Sequence, residues 1–279
     1  MPPISRSPWL DPQGRRQQLD ESIRKTKTAY FGFRKVAEEE KQGRIVRHFD
    51  KVARKYDLMN SLLSFGIHHA WKRAAVRALM LPAGARVLDV CGGTADLAIL
   101  AARAAGPAGR VFVYDINRTM MVYGRPKAAD ADLGDRVGFV QGNAESIAFP
   151  DNHFDAAMVG FGIRNVTHMK TAFAEMLRVL KPGGRLMCLE FSKPAWTPFR
   201  WLYDLYSFAV MPALGQLIAG NRSGYLLLTE SIRLFPTPDE MAGILSEVGF
   251  SGVTYRLLTN GIAAVHLGEK TGGTERLSE

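Results

Sequence analysis

The feature that most constrains this chain is an apolar run that meets an acid and then passes at once into two glycines. The run begins at Arg86, the acid is Asp89, and Gly92 and Gly93 lead into a helical pattern that starts near Leu97. A strand, a tight turn and a helix start are predicted here. Because glycine has no Cβ, a ligand can approach the backbone of such a turn, and the first amides of the helix favour a carboxylate or phosphate. The segment predicts a small-molecule site at the carboxyl end of a first parallel strand.

The ligand is not predicted to be a dinucleotide. Cys91 and Asp96 occupy the positions of the first and third glycines of the G-x-G-x-x-G fingerprint. A second acid, Asp115, ends the next predicted strand and follows Gly93 by 22 residues, a spacing typical of an acid that accepts both ribose hydroxyls. A nucleoside with an amino-acid tail satisfies both features, and a plain structural turn is the alternative. The pattern resembles the S-adenosylmethionine site of class I methyltransferases.

Strands and helices are predicted to alternate after this turn, which favours a doubly wound, mostly parallel α/β sheet. The first strand begins at Arg86, and the next four are expected at 110–114, 137–141, 156–159 and 185–191. Two more strands, near 253–258 and 262–267, are joined by a hairpin-like Thr-Asn-Gly turn. We therefore expect seven strands, the last of them antiparallel.

Composition indicates how the chain is divided. With 279 residues and 47% hydrophobic content, one large domain with extensions is expected. Residues 1–28 are predicted to be a disordered basic arm, 29–270 the domain, and 271–279 a flexible tail. Within the domain, 29–84 should form N-terminal helices, and 193–236 an aromatic-rich helical insertion that is either a second core or a lid over a hydrophobic ligand.

Charge and cysteine content limit the partners and the compartment. Residues 1–48 contribute +5 to a net charge of +9, which indicates either an anionic surface as partner or a solvated arm. Since no recognition module accompanies the charge, nucleic acid is not expected as a partner. Two cysteines in apolar runs indicate free thiols in a reducing compartment. The most apolar run, 205–219, is interrupted by Pro212 and Gly215, so no membrane span is predicted.

Loops after the first, third and fourth strands should meet around one crevice. The second of them contains Asn143 and Ala144, whose amides suit an adenine edge, although an ordinary turn has the same pattern. The third contains Arg164 and Asn165. An arginine at the mouth of the crevice holds a phenolate or enolate in a planar fork, or else pairs with a neighbouring acid.

The chain resembles the ubiquinone/menaquinone biosynthesis C-methyltransferases from about Thr28 to Lys270. The most specific matching segments are Tyr-Asp-Leu-Met-Asn at 56–60, Phe-Gly-Ile-Arg-Asn at 161–165 and Leu-Glu-Phe-Ser-Lys-Pro at 189–194. The resemblance implies the Rossmann-like class I methyltransferase fold.

The resemblance also implies that S-adenosylmethionine is the cofactor. Its contacts are expected at Asp89, Gly92, Gly93, Thr94, Asp115, Ile116, Asn143, Ala144 and Gly160. Three positions depart from the family pattern, which has serine at Gly160, glycine at Ala95 and alanine at Cys91.

The implied reaction is C-methylation of a polyprenylated benzoquinol (2-methoxy-6-polyprenyl-1,4-benzoquinol), of demethylmenaquinol, or of both. Ring carbon is a poor nucleophile, so the protein must favour a phenolate beside it. Arg164 is the candidate for stabilising that anion or orienting a water, with Asn165 and Tyr56 positioning the ring hydroxyls. No metal is expected, because His68 and His69 should point to different sides of a helix and be structural.

Other hypotheses stay open from the sequence. The chain could act on another small aromatic or on RNA, or serve as a non-catalytic component of a quinone-synthesis complex. A cytoplasmic location is expected, with peripheral contact on the inner face of the cytoplasmic membrane as a further hypothesis, because a polyprenyl tail resides in lipid. A homodimer and a quinone-synthesis complex are both left open as assemblies.

Overall fold

The computed structural model describes residues 9–16 and 19–272. It begins with two short helices, α1 (Pro12–Arg16) and α2 (Asp20–Thr26), and an antiparallel hairpin of β1 (Thr28–Phe31) and β2 (Arg34–Ala37). The predicted disorder of residues 1–28 is therefore wrong for the part that is described. Residues 1–8, 17 and 18 lie outside the described residues, as do 273–279 of the predicted tail.

Tertiary contacts explain why this polar segment is ordered. Ile23 is only 1% exposed. The Asp20 carboxylate accepts hydrogen bonds from the backbone amides of Lys170 and Thr171 at 3.0 and 2.9 Å. Buried contacts of this kind override weak local propensity, and composition alone does not reveal them.

Three helices follow: α3 (Glu38–Val52), α4 (Tyr56–Leu63) and α5 (Ile67–Ala78). A 3₁₀ turn over Ala53–Lys55 separates α3 from α4. Tyr56 therefore begins a new helix. The ring of Tyr56 still lies against Phe49, with ring centroids 6.1 Å apart.

A seven-stranded sheet forms the centre of the protein. Its strands are β3 (Arg86–Val90), β4 (Arg110–Asp115), β5 (Val137–Gln141), β6 (Phe154–Gly160), β7 (Leu180–Phe191), β8 (Phe250–Leu258) and β9 (Ala263–Lys270). Their order is β5-β4-β3-β6-β7-β9-β8. The first five pair in parallel, and β9 runs antiparallel to both β7 and β8. The predicted topology is confirmed, with β9 inserted between β7 and β8.

Helices cover both faces of this sheet. They include α6 (Asp96–Ala104), α7 (Arg118–Asp130) and α8 (Met169–Val179). Neighbouring residues of β3 point to opposite faces, so Val87 packs with α5 and α6 while Leu88 packs with α8. Because β3 to β7 are parallel, their carboxyl ends lie together at one edge of the sheet, where the loops that follow them meet.

The segment after β7 is a helical insertion. α9 (Thr197–Leu205), a π-helical turn (Tyr206–Val210) and α10 (Met211–Ala219) form one helical segment, and α11 (Arg222–Leu234) packs against it. α12 (Pro238–Val248) then returns to the sheet. Met59, Leu63, Met211 and Tyr225 form a small core between the insertion and α4. The insertion thus shares a small core with α4.

The helix of the insertion continues through Pro212. The π-helical turn Tyr206–Val210, in which the α-helical hydrogen-bond pattern is interrupted, lies just before this proline. The segment Thr197–Ala219 is 23 residues long and contains an 18-residue window with a mean hydropathy of 1.2, so by length and composition alone it could cross a membrane.

Candidate active site

The glycine turn after β3 has an unusual backbone. Cys91, Gly93 and Ala95 have φ values of 54°, 51° and 68°, in the left-handed region. A side chain in that region costs roughly 1–2 kcal/mol, and such strain concentrates at ligand sites. A Cβ on Gly92 would lie 2.8 Å from the Asp89 carboxyl group, so the turn requires glycine there.

Asp115 links the turn to the second strand of the site. One carboxylate oxygen accepts the Gly93 amide at 2.9 Å and the other accepts the Asn117 amide at 2.7 Å. Burial raises the pKa of Asp115 to about 6. Because a carboxylate oxygen accepts more than one hydrogen bond, both oxygens keep room for ribose hydroxyls.

A cavity of about 110 Å³ lies at these strand ends. All nine residues predicted to bind the cofactor line it: Asp89, Gly92, Gly93, Thr94, Asp115, Ile116, Asn143, Ala144 and Gly160. Helix α3 covers the cavity, held by Lys41 Nζ donating to the Val166 carbonyl at 3.0 Å and by Asn117 Nδ2 donating to the Val46 carbonyl at 3.1 Å. Pockets for cofactor-sized ligands measure roughly 300–1,000 Å³, so this cavity is smaller than such a pocket, and α3 forms its cover.

The charges around this cavity fit S-adenosylmethionine. Asp89 is fully buried beneath the turn, and neither of its carboxylate oxygens has a hydrogen-bond partner among the described residues. Burial and the nearby Asp115 raise the pKa of Asp89 well above its usual value. A cationic amino-acid tail would supply the missing positive charge, and Asp115 would accept the ribose.

The Thr94 hydroxyl has a protein partner that the sequence did not reveal. Its Oγ1 donates to Asp57 at 2.7 Å. Lys127 donates to Asp57 at 2.6 Å and to Asp96 at 2.5 Å, and Lys72 donates to Asp96 at 2.6 Å. Although burial alone would raise it, the two lysines hold the pKa of Asp96 well below its usual range. These ion pairs join α4, α5 and α7 to the helix that begins at the glycine turn.

The structure accounts for the departure at Gly160. A Cβ built there would lie 2.3 Å from Leu97 Cδ1. Leucine therefore fills the space in which the family pattern places a serine side chain. Gly160 lines the cavity through its backbone only.

A second cavity of about 820 Å³ adjoins the first. Its walls come from α3, α4, α5 and the insertion, and they are mostly aromatic and aliphatic. Five residues line both cavities and form the wall between them: Phe49, Tyr56, Lys72, Phe161 and Asn165. A ligand in the polar cavity and one in the apolar cavity would meet at this shared wall.

Arg164 faces the large cavity from a buried position, not from the mouth of the crevice as predicted. Its side chain is only 7% exposed, and its Nη1 donates to Glu190 Oε1 at 2.8 Å and to the Phe161 carbonyl. The alternative prediction, a salt bridge between Arg164 and a neighbouring acid, is therefore correct. Glu190 is 1% exposed and its Oε1 also accepts the Phe191 amide at 2.9 Å. Sequence reasoning missed Glu190, although it lies in one of the specific matching segments.

The other predicted catalytic residues lie where the two cavities meet. Asn165 ends a 3₁₀ turn that begins at Ile163, and it lines both cavities, as Tyr56 does. Burial raises the pKa of the Tyr56 phenol, so it stays protonated and can donate. Burial, together with the charge of Arg164, lowers the pKa of His48 to about 4, so this lining histidine is neutral near pH 7.

His68 and His69 do not point apart as predicted. Their ring centroids are 3.8 Å apart, and both Nε2 atoms lie 3.2 Å from Ser61 Oγ. Within residues 9–16 and 19–272, no group of three or more His, Cys, Asp or Glu side chains is arranged to hold a metal ion.

This fold and this site define a class I methyltransferase that uses S-adenosylmethionine. Two solved methyltransferases share the fold. The S-adenosylmethionine-dependent methyltransferase of Aquifex aeolicus superposes with a TM-score of 0.53 at 18% identity, over 72% of this chain and 89% of that one. One from Thermotoga maritima superposes with a TM-score of 0.59 at 18% identity, over 81% and 99%.

Residues 34–270 match the model of the ubiE/COQ5 methyltransferase family. The ubiquinone/menaquinone biosynthesis C-methyltransferase UbiE of Yersinia pestis (strain Pestoides F) is 48% identical over 243 residues, which is 87% of this chain and 97% of that relative. The chain belongs to the ubiE/COQ5 methyltransferase family. The predicted family, fold class, cofactor and enzyme class are confirmed.

Proposed function

We propose that this protein methylates a ring carbon of a polyprenylated quinol in ubiquinone/menaquinone biosynthesis. The substrate is 2-methoxy-6-polyprenyl-1,4-benzoquinol, demethylmenaquinol, or both. The observation that carries the proposal is the placement of Asn165 in the wall that the polar and apolar cavities share, with Arg164 next to it on the apolar side. The site thereby offers a cation where a cofactor and an aromatic ring would come together.

Arg164 makes the ring nucleophilic in this proposal. Bound S-adenosylmethionine would supply an electrophilic methyl group: its methyl–sulfur bond would break as the bond to the ring carbon forms, S-adenosylhomocysteine would leave, and that carbon would then lose its proton. A ring carbon attacks well only when an adjacent hydroxyl is ionised, because the phenolate donates electron density to that carbon. The Arg164 guanidinium stabilises this phenolate in a cavity with mostly apolar walls, where the interaction is stronger than in bulk water.

Glu190 and Phe191 fix the position of Arg164. The Glu190 carboxylate binds Nη1, and the guanidinium carbon lies 5.4 Å from the centre of the Phe191 ring. Fewer rotamers are then open to the side chain, which lowers the entropy lost when the substrate is oriented. Tyr56 donates a hydrogen bond to a ring oxygen, and Asn165 offers both a donor and an acceptor.

The volume and lining of the large cavity support an isoprenoid substrate. About 820 Å³ is far more than a quinol ring fills, and its walls include Leu63, Phe199 and Leu227. Apolar walls stabilise isoprene units through the hydrophobic effect and offer little to the phosphates of RNA. The cytoplasmic location, the homodimer and the quinone-synthesis complex stay predictions.

The test supplies purified protein with S-adenosylmethionine and each demethylated quinol in turn, and follows the products by mass spectrometry. We expect one methyl group on a ring carbon of at least one of the two quinols. RNA and a simple catechol serve as comparison substrates. Methylation of RNA, or of the catechol in preference to both quinols, would contradict the proposal.

A further inference from the structure

The helical segment Thr197–Ala219 has its apolar side toward solvent. Trp201, Leu202, Leu205 and Leu217 are 72%, 61%, 64% and 82% exposed. Their spacing places them on one stripe of the helix. In α8 the apolar stripe faces the core, as it does in most surface helices, so the orientation here requires a separate explanation.

Charged groups are kept away from this stripe. Arg200 and Asp204 are the charged side chains of the segment, and neither is fully exposed. Asp204 accepts hydrogen bonds from Arg233 Nη2 at 2.6 Å and from Trp9 Nε1 at 3.2 Å. Arg200 donates to the Pro194 carbonyl at 3.3 Å. The stripe therefore presents a continuous apolar surface.

Helix α4 and the turn that follows it extend this surface. Phe65 is 85% exposed and Leu58 is 60% exposed. The Phe65 ring lies 6.0 Å from the Tyr206 ring, whose hydroxyl donates to the Leu63 carbonyl at 2.8 Å. We call the combined surface the apolar face; it consists of Leu58, Phe65, Trp201, Leu202, Leu205 and Leu217.

The apolar face is continuous with the large cavity. Phe65 and Leu202 belong to the face and also line the cavity, as does Tyr206 between them. A long hydrophobic tail that enters the cavity here passes from one apolar environment into another. Its entry through this side requires no transfer through water.

Exposed cations flank one end of the face. Lys55 Nζ donates to the Ile218 carbonyl at 2.6 Å, next to Leu217. Arg54 and Arg222 are exposed nearby in the sequence, and the whole chain carries a net charge of +9. Apolar side chains with flanking cations match an anionic lipid surface, where the cations meet the headgroups.

We infer that the apolar face is a membrane-docking surface, on which α9 and α10 lie in the plane of an anionic leaflet with the cavity opening toward the lipid. The inference rests on the proposed function, because a polyprenylated quinol would be delivered from that leaflet. The segment lies on the membrane and does not cross it, since Tyr203, Met211 and Gly215 on its other side are buried against the protein. Exposed Trp196 and Trp201 suit the headgroup level.

The test is flotation of the full chain with phosphatidylcholine vesicles that contain phosphatidylglycerol. We expect wild-type protein to float with these vesicles, and to do so less well at high salt or with phosphatidylcholine alone. Leu205→Glu with Leu217→Glu should reduce vesicle binding about tenfold or more. Val122→Glu is the matched control, because Val122 is 54% exposed on α7, outside the face.

Tryptophan fluorescence gives a second measurement of the same surface. Trp196 and Trp201 are exposed, whereas Trp9 and Trp71 are 8% and 5% exposed. Vesicles should shift the emission to shorter wavelength, and replacing Trp196 and Trp201 with Phe should remove most of that shift.

Three results would overturn the inference. The first is wild-type protein that does not bind the anionic vesicles, and the second is a double glutamate variant that binds as well as wild type. The third is a dimer in light scattering that the double variant converts to a monomer while neither form binds vesicles, since the face would then join two copies of the chain.

Activity separates this inference from the proposed function. A quinol with a single isoprene unit, supplied in buffer, should be methylated equally by wild type and by the double variant, while vesicle-borne substrate should be methylated more slowly by the variant. Wild-type protein that binds vesicles but methylates neither quinol would contradict the proposed function and leave the docking surface supported.

Discussion

The two cavities of this protein are built in different ways. The polar cavity lies on the ends of consecutive parallel strands, and its residues follow one another in short loops such as 91–96 and 142–145. The apolar cavity is assembled mainly from helices that are far apart in the sequence. Its lining residues extend from His48 to Ile262. The first was predicted residue by residue, whereas for the second only Tyr56, Arg164, Asn165 and an aromatic-rich insertion were predicted. A binding site is readable from sequence when one local unit builds it.

The largest expected effect separates catalysis from cofactor binding. Arg164 lines the apolar cavity and not the polar one. Arg164→Ala should lower kcat by about 10²–10³-fold, a typical loss for a removed anion-stabilising group, and leave the affinity for S-adenosylmethionine within about twofold. Single-turnover kinetics and calorimetry measure the two quantities.

A control is needed because Arg164→Ala also leaves Glu190 buried without its partner, which costs on the order of 3–5 kcal/mol of stability. Adding Glu190→Gln should restore much of the stability in thermal unfolding without restoring turnover. Recovery of turnover in the double variant would show that Arg164 acts only through the fold.

The second prediction concerns the polar cavity, where a substitution should weaken cofactor binding. Asp115→Asn should weaken S-adenosylmethionine binding about tenfold or more, because a charged acceptor is lost at the ribose. Binding of an unreactive quinone should be unchanged. Asp155→Asn is the matched control, because Asp155 lies at the amino end of β6 and does not line the polar cavity. Equal losses for Asp115→Asn and Asp155→Asn in calorimetry would contradict the ribose assignment.

The third prediction concerns pH. Hydroxyl groups donate to the ionised carboxylate, and burial raises the pKa of Asp115 to about 6. Lowering the pH through 6 protonates Asp115 and removes the form that binds. The dissociation constant for S-adenosylmethionine should therefore rise below pH 6, by up to about tenfold per unit, and stay flat between pH 7 and 8. Asp115→Asn should flatten the pH profile of this dissociation constant. A wild-type profile without a bend near pH 6 would contradict the prediction.

The smallest expected effect concerns Gly160. Gly160→Ser should cost about 1–3 kcal/mol in denaturant unfolding, since Leu97 Cδ1 occupies the required space. Leu97→Ala in the same chain should relieve that overlap. If Gly160→Ser is as stable as wild type, Leu97 is free to turn away.

The strands and the glycine turn could be predicted because they depend on local pattern. Apolar runs, the paired glycines and the acids Asp89 and Asp115 are all visible within a few residues of one another. The parallel order of the strands then follows from general rules of connection. The residues at the strand ends and in the glycine turn therefore line the polar cavity as expected.

The missed features all depend on contacts between distant parts of the chain. The order of α2 requires the amides of α8, the Thr94 hydroxyl is bound by Asp57, and the position of Arg164 is set by Glu190. The exposure of Leu205 and Leu217 depends on how the insertion packs. None of these contacts has a periodic or compositional signal.

The most direct test of the account is a crystal structure of the protein with S-adenosylmethionine and an unreactive oxidised quinone. We expect the nucleoside in the polar cavity beside Asp115 and Asn143, and the quinone ring in the apolar cavity beside Arg164, with Phe161 and Asn165 between them. A quinone ring bound away from Arg164, or a nucleoside bound outside the polar cavity, would contradict the account.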